Sequence, residues 1–212
     1  MVLYKYTVLE GSMQPNLQRL IEKGVVWQGQ TKAPQADHYI KTGFSKLDEL
    51  LGGGWQTPGL HEWQLESPFS EQRLLLPLAQ QAIEQGLAVF WVNPPAQLSA
   101  ASLHYHELAD AMHVVVEAKA SDACWALEQI LQAKNTMVFA WLPQKETTSP
   151  KVRRWYKAAE SGQMGIVISG FSDHPEARPY SNRLKIRLTE NGLALDILKR
   201  KSGWPVENIE LS

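Results

Sequence analysis

Apolar residues along this chain switch between helical spacing and short continuous runs, and the switches mark out the elements. Residues 14–24 place Leu17, Leu20 and Ile21 on one helical face with Gly24 as a stop, and Val25-Val26-Trp27 follows. Residues 28–38 are polar, contain Pro34 and read as a linker. A new unit opens at Tyr39. There Thr42-Gly43 turns into a short helix ending at Leu51, with Ser45 as the expected N-cap, Asp48 at the capping-box position and Gly52-Gly53-Gly54 as the terminator. Residues 60–65 alternate as a strand, residues 70–85 form an apolar-rich helix closed by Gly86, and residues 87–92 form a continuous apolar run. Such a run suits a strand buried on both faces of a parallel sheet. Beyond Asn93-Pro94-Pro95 the pattern predicts a helix over 98–112, a strand over 113–116, a helix over 121–133, a strand over 137–142, a helix over 151–161 and a strand over 165–169. Residues 183–188 and 193–200 alternate around Glu190-Asn191-Gly192, a hairpin signal.

This alternation predicts an α/β domain over residues 39–212, with a mainly parallel β-sheet flanked by helices and a C-terminal β-hairpin. Residues 13–38 are expected to form an N-terminal helix and linker. Residues 1–12 end in Gly11-Ser12 directly before Met13, the appearance of a vector-derived leader, so the native start is expected at Met13.

Composition narrows the classes. Lys+Arg 21 against Asp+Glu 22 leaves a net charge of −1, so no whole-protein field draws the chain to nucleic acid or a membrane surface. No run reaches the 18 or so consecutive apolar residues of a membrane span. Cys124 is the single cysteine, which excludes an intramolecular disulfide and fits a reducing, cytoplasmic setting. It lies within the apolar run Ala123-Cys124-Trp125-Ala126 and reads as an inert packed thiol.

In a mainly parallel sheet ligands sit beyond the carboxyl ends of the strands, here the loops after Leu65, Val92 and Leu142. An NTPase would place GxxxxGK[ST] in the first of these, with backbone N–H groups cradling phosphate, lysine neutralising it and a hydroxyl holding Mg²⁺. Instead Leu65 and Ser70 fill the glycine positions, Glu71 stands at the lysine position and Gln72 at the hydroxyl position. A hydrolytic carboxylate is missing after Val92, where Asn93-Pro94-Pro95 stands, and Trp141 occupies the place of a metal-holding acid. A phosphate in this loop would face an anion, so no catalytic residue, cofactor or ATP hydrolysis is expected.

The order of several segments carries a resemblance. Thr42-Gly43 through Leu47-Asp48, then Leu50-Leu51-Gly52-Gly53-Gly54-Trp55 and Pro58-Gly59-Leu60-His61-Glu62, resembles the approach to the phosphate-loop strand of the RecA recombinase core. Arg73-Leu74-Leu75-Leu76-Pro77-Leu78-Ala79, Val92-Asn93-Pro94-Pro95, Ala140-Trp141-Leu142 and Arg153-Arg154-Trp155-Tyr156-Lys157 extend it, so that residues 27–205 are similar to the RecA-like SOS-response proteins of the ImuA/SulA family. The resemblance implies a RecA-like core lacking a functional phosphate-binding loop and a role through protein–protein contact. ImuA-type proteins act in damage-induced translesion synthesis with ImuB, RecA and an error-prone polymerase, whereas SulA-type proteins bind FtsZ and block its polymerisation. The N-terminal helix, the complete Gly52-Gly53-Gly54 segment and the Lys199-Arg200-Lys201 strand favour ImuA, with SulA as the alternative.

Other constellations carry less. Arg153, Arg154 and Lys157 with Trp155, and Lys199 and Arg200 with Trp204, offer basic surface with stacking aromatics for single-stranded DNA, but a solvated helix face and a lysine-protected edge strand account for them as well. His104, His106 and His113 lack metal-ligand spacing, and Ser70, His61 and Asp173 lack a nucleophile elbow. Of the eight tryptophans, Trp63, Trp91, Trp125 and Trp141 are expected in the core. Trp27, Trp55, Trp155 and Trp204 join Arg73, Leu74, Leu75, Pro94, Pro95, Arg153, Arg154, Lys199 and Arg200 as candidates for partner contact. By analogy with RecA, the N-terminal helix is a further candidate for docking on a second copy.

Overall fold

The computed structural model describes residues 38–162, 164–171, 177–201 and 203–211. The expectations for residues 1–37, including the leader, the N-terminal helix and Trp27, lie outside these residues, as does Asp173.

The elements are β1 (His38–Ile40), α1 (Ser45–Leu50), β2 (Trp55–Thr57), β3 (Gly59–Leu65), α2 (Gln72–Glu84), β4 (Ala88–Val92), α3 (Ala100–Tyr105), β5 (His113–Val116), α4 (Ala120–Gln132), β6 (Thr136–Trp141), α5 (Ser149–Ser161), β7 (Met164–Gly170), β8 (Asn182–Thr189), β9 (Gly192–Lys199) and β10 (Val206–Leu211), with a short 3₁₀ turn at Gln144–Glu146. The main sheet has 8 strands in the order β10-β9-β8-β3-β7-β6-β4-β5. Every pairing from β8 across to β5 is parallel, and β8-β9-β10 run antiparallel. A mixed α/β fold with a mostly parallel central sheet is therefore what the sequence alternation predicted.

Two apolar layers hold helices to the sheet. Leu47 of α1 and Leu74, Leu75, Leu78 and Ala82 of α2 pack with Trp55, Trp63, Trp91 and Phe139 on one face. On the other, Leu127 and Leu131 of α4 and Val152 and Trp155 of α5 pack with Leu60, Val138 and Val167. Strand β3 feeds both, because successive side chains alternate between faces.

Local chemistry explains the ends of elements. Gly86 has φ +71°, and the Leu87 N–H reaches the Ala82 carbonyl at 2.9 Å, the C-terminal closure that a left-handed residue allows. Gly54 sits at φ +129°, where an added Cβ would lie 2.3 Å from the Ile40 carbonyl oxygen; this close approach lets β1 pair with β2. Asp48 does not cap its own helix. Its Oδ1 accepts from the Thr42 N–H at 2.8 Å, and the N-cap is Phe44, so Ser45 is the first helical residue rather than the cap.

Other expectations need correction. The helix predicted over 98–112 is only Ala100–Tyr105, capped by the Ser99 side chain, because Glu107 turns left-handed at φ 56° and the Leu108 N–H bonds the Leu103 carbonyl. The pairing of β1 with β2 and the strand β10 are additions. In β10 a bulge between Val206 and Ile209 breaks the alternation on which a strand reading depends.

Candidate functional site

The loops after β3, β4 and β6 converge where a parallel sheet places its ligands. Two adjoining clefts there, of about 280 and 480 Å³, share Phe69, Glu71, Pro95 and Trp141 as walls. The loop after β3 does not open into a phosphate cradle. Ser70 is buried and turns its hydroxyl onto the Ser67 carbonyl at 2.7 Å. Glu71 is the N-cap of α2 and is 2% exposed, with its carboxylate at the positive end of that helix. Leu65 is half-buried at the end of β3, and Gln72 is exposed.

Glu71 and Trp141, expected at the lysine and metal-acid positions of a nucleotide site, bond to one another. Trp141 Nε1 donates to Glu71 Oε1 at 3.1 Å, which joins the loop after β3 to the end of β6. Trp141 is itself stacked at 6.3 Å on Trp91, and Trp91 stacks at 5.1 Å on Phe139. An indole and a carboxylate thus meet at the carboxyl ends of the strands, and Glu71 Oε2 is buried with no hydrogen-bond partner among the described residues.

The third replaced position has a structural task as well. Asn93, at φ 51°, donates from Nδ2 to the Ala118 carbonyl at 3.0 Å and accepts the Ala118 N–H on Oδ1 at 2.9 Å. This clasp ties the end of β4 to the segment leading into α4.

The charged centre of the domain lies elsewhere, at residues that no motif singles out. Glu62, fully buried on β3, accepts Arg183 Nε at 2.6 Å, Arg178 Nη1 at 3.2 Å and Gln64 Nε2 at 2.9 Å. Arg178 also donates to Gln144 Oε1 and Thr147 Oγ1. The signal available in the sequence is an acid inside the strand run Leu60 to Leu65 with arginines near the start of β8. Beside it the Tyr180 phenol is held well above its ordinary range, first by burial and then by the Glu62 charge.

Two histidines use both ring nitrogens in hydrogen bonds. His61 donates from Nε2 to the Gln56 carbonyl at 3.0 Å and accepts Asn182 Nδ2 on Nδ1 at 3.2 Å, and burial lowers its pKa to about 4. His113 donates to the Leu108 carbonyl and accepts Trp91 Nε1 at 3.1 Å, leaving no nitrogen for a metal. Among the described residues no group of His, Cys, Asp and Glu is arranged to hold a metal ion, and no helix is long and apolar enough to cross a membrane. Cys124 is buried, and burial raises its thiol above the ordinary value, as a packed thiol requires.

The partner-contact candidates separate by exposure. Trp55 and Trp155 are corrected: both are buried in the two core layers, where Trp55 packs on Trp63 at 5.4 Å and Trp155 donates to the Cys124 carbonyl at 3.1 Å. Leu74 and Leu75 face the same core as Trp55. Trp125, expected inside, is 64% exposed on α4 because the buried stripe of that helix runs through Cys124, Leu127 and Leu131 instead. Trp204 is 86% exposed, Arg73 and Arg153 are exposed, and Pro94 and Pro95 rim the clefts. Arg154 pairs with Glu128 at 2.7 Å, while Lys199 donates to the Tyr180 carbonyl and Arg200 to the Leu50 carbonyl, so the two basic clusters are partly engaged in the fold.

A mixed α/β domain with a mainly parallel central sheet, in which Glu71 and Trp141 meet at the carboxyl ends of the strands, is the class that this geometry defines. Residues 61–165 match the family model described as cell division inhibitor SulA. Cell division inhibitor SulA of Citrobacter koseri is 28% identical over 125 residues, covering 57% of this chain and 73% of the relative. The region matched by the family model runs from β3 to β7 and contains both Glu71 and Trp141. These matches support the division-inhibitor side of the resemblance, the alternative, over the translesion side that the N-terminal and C-terminal segments favoured.

Proposed function

We propose that this protein is a SulA-type division inhibitor that binds FtsZ stoichiometrically and hydrolyses no nucleotide. The observation that carries the reading is the family match over residues 61–165 together with the Trp141–Glu71 bond inside it. A RecA-like sheet with Glu71 and Trp141 at that corner, in place of the glycines and lysine of a phosphate loop, retains surface for partners and loses the means of cradling a triphosphate. An anion at the helix N-terminus opposes a second anion there, and the Trp141 indole offers no oxygen to a metal ion. The implied action is sequestration of monomers by contact.

Purified FtsZ assembled with rising amounts of this protein tests the reading by sedimentation and GTPase rate. Polymer and GTPase activity falling in proportion to added protein, and unaffected by ATP, is the expected result. Full assembly at several-fold excess of this protein would overturn it.

A further inference from the structure

The two edges of the main sheet are built differently. β10 is guarded: a bulge between Val206 and Ile209, exposed Glu207 and Glu210, and a clamp in which Arg187 donates to Asp196 and Asn208, both at 2.8 Å, keep a further strand away. β5, His113-Val114-Val115-Val116, has no such device. It is free of lysine, proline and bulge, and among the described residues no strand lies beyond it.

Its pairing with β4 shows which groups are left without a strand partner among the described residues. The Met112 and Val116 carbonyls accept from Val89 and Asn93 at 2.9 and 2.8 Å, so by the alternation of a parallel ladder the N–H and C=O groups of His113 and Val115 point away from β4. Apolar surface flanks this edge: Val115 is 45% exposed and Met112, directly before the strand, 68%. The exposed charges at its ends are Glu107, Asp110, Glu117 and Asp122 against Lys119, a mostly acidic rim.

We propose that β5 is a docking edge for an extended apolar segment of a partner protein carrying basic residues at its ends, added as one more strand. Main-chain hydrogen bonds from His113 and Val115 hold the segment, its alternate side chains cover Val115 and Met112, and its basic ends meet the acidic rim. A second copy is disfavoured as the occupant, because edge-to-edge pairing would bring two acidic rims together. This inference stands on the edge itself and does not depend on the division-inhibitor reading.

Backbone amide exchange of the full chain tests it, with the synthetic peptide Lys-Val-Thr-Val-Thr-Val-Lys in millimolar excess as the probe. The His113 and Val115 amides should slow by about tenfold or more. The same peptide N-methylated at alternate residues should have no effect, since it cannot pair. The exposed double variant Asp110→Lys, Glu117→Lys should keep its melting temperature and lose most of the protection. Amides left unprotected by the peptide would overturn the proposal. So would protection already complete in dilute protein, which would mean that the chain's own residues close the edge, or protection rising with protein concentration alone, which would mean a second copy.

Discussion

Two buried carboxylates, Glu62 and Glu71, differ in how they are satisfied. Glu62 lies inside β3 with Arg178, Arg183 and Gln64 around both oxygens. Glu71 lies at the start of α2 with the Trp141 indole on one oxygen and nothing on the other among the described residues. The first is compensated by charge and belongs to the interior of the fold. The second stands at the carboxyl ends of the strands, where a parallel sheet presents its ligand, and it blocks that place with one neutral hydrogen bond and a helix dipole. A buried acid with full ionic compensation is architecture, whereas one with an unpartnered oxygen at the carboxyl ends of the strands marks a candidate site.

The largest expected effect is at Glu62. Glu62→Gln removes the carboxylate charge from between two nearly buried guanidinium groups and should cost about 3–5 kcal/mol in urea unfolding. A loss below about 1 kcal/mol, of the size expected at Glu71, would erase the distinction between the two acids.

His61 tests the neighbouring position on the other face of β3. Its folded pKa of about 4 lies below the ordinary 6.5, so the unfolded state takes up the proton first. The stability gained from the neutral ring is complete above pH 6.5 and is lost as pH falls toward 4, by roughly 3 kcal/mol in all. Denaturant midpoints at about pH 7 and pH 4.5 should show this loss in the wild type and a smaller one in His61→Gln. Equal losses in the two proteins would refute it.

Smaller effects follow at the closed corner. Trp141→Phe removes the one hydrogen bond to Glu71 and should cost about 1–3 kcal/mol by calorimetry. Glu71→Gln keeps an acceptor and buries no charge, so its cost should stay under about 1 kcal/mol. If Glu71→Gln proved the more damaging of the two, the carboxylate would be holding the loop through its charge rather than filling space. The smallest change is Arg154→Ala, which breaks an exposed pair with Glu128 and should shift stability by no more than about 0.5 kcal/mol.

Much of this is legible in the amino-acid pattern alone. The apolar run Ala88 to Val92 and the hairpin turn at Gly192 stand where the pattern puts them, because buried parallel strands and tight turns write themselves into local composition. That Glu71 and Trp141 stand where a nucleotide-binding loop would put a lysine and an acid is an expectation drawn from the sequence. What the pattern does not hold is that these two residues touch, since residues 70 positions apart meet only through the order of strands in the sheet. Trp55, Trp125 and Trp155 go to unexpected places for a related reason: indoles at element ends and on helices are sorted inward or outward by the neighbouring element that covers them. The Glu62 network escapes a sequence reading because an acid in a strand has no pattern of its own until Arg178 and Arg183 arrive from another part of the chain.

The sequence by itself determined the alternation of strands and helices and the mainly parallel sheet, both of which follow from local pattern and side-chain chemistry. Only the tertiary structure decided that Glu71 and Trp141 meet, which carboxylate is compensated, and that one sheet edge is guarded while the other has no such guard among the described residues. Those outcomes depend on pairing order and burial, which are sums over contacts between distant segments and leave no trace in any single stretch of chain.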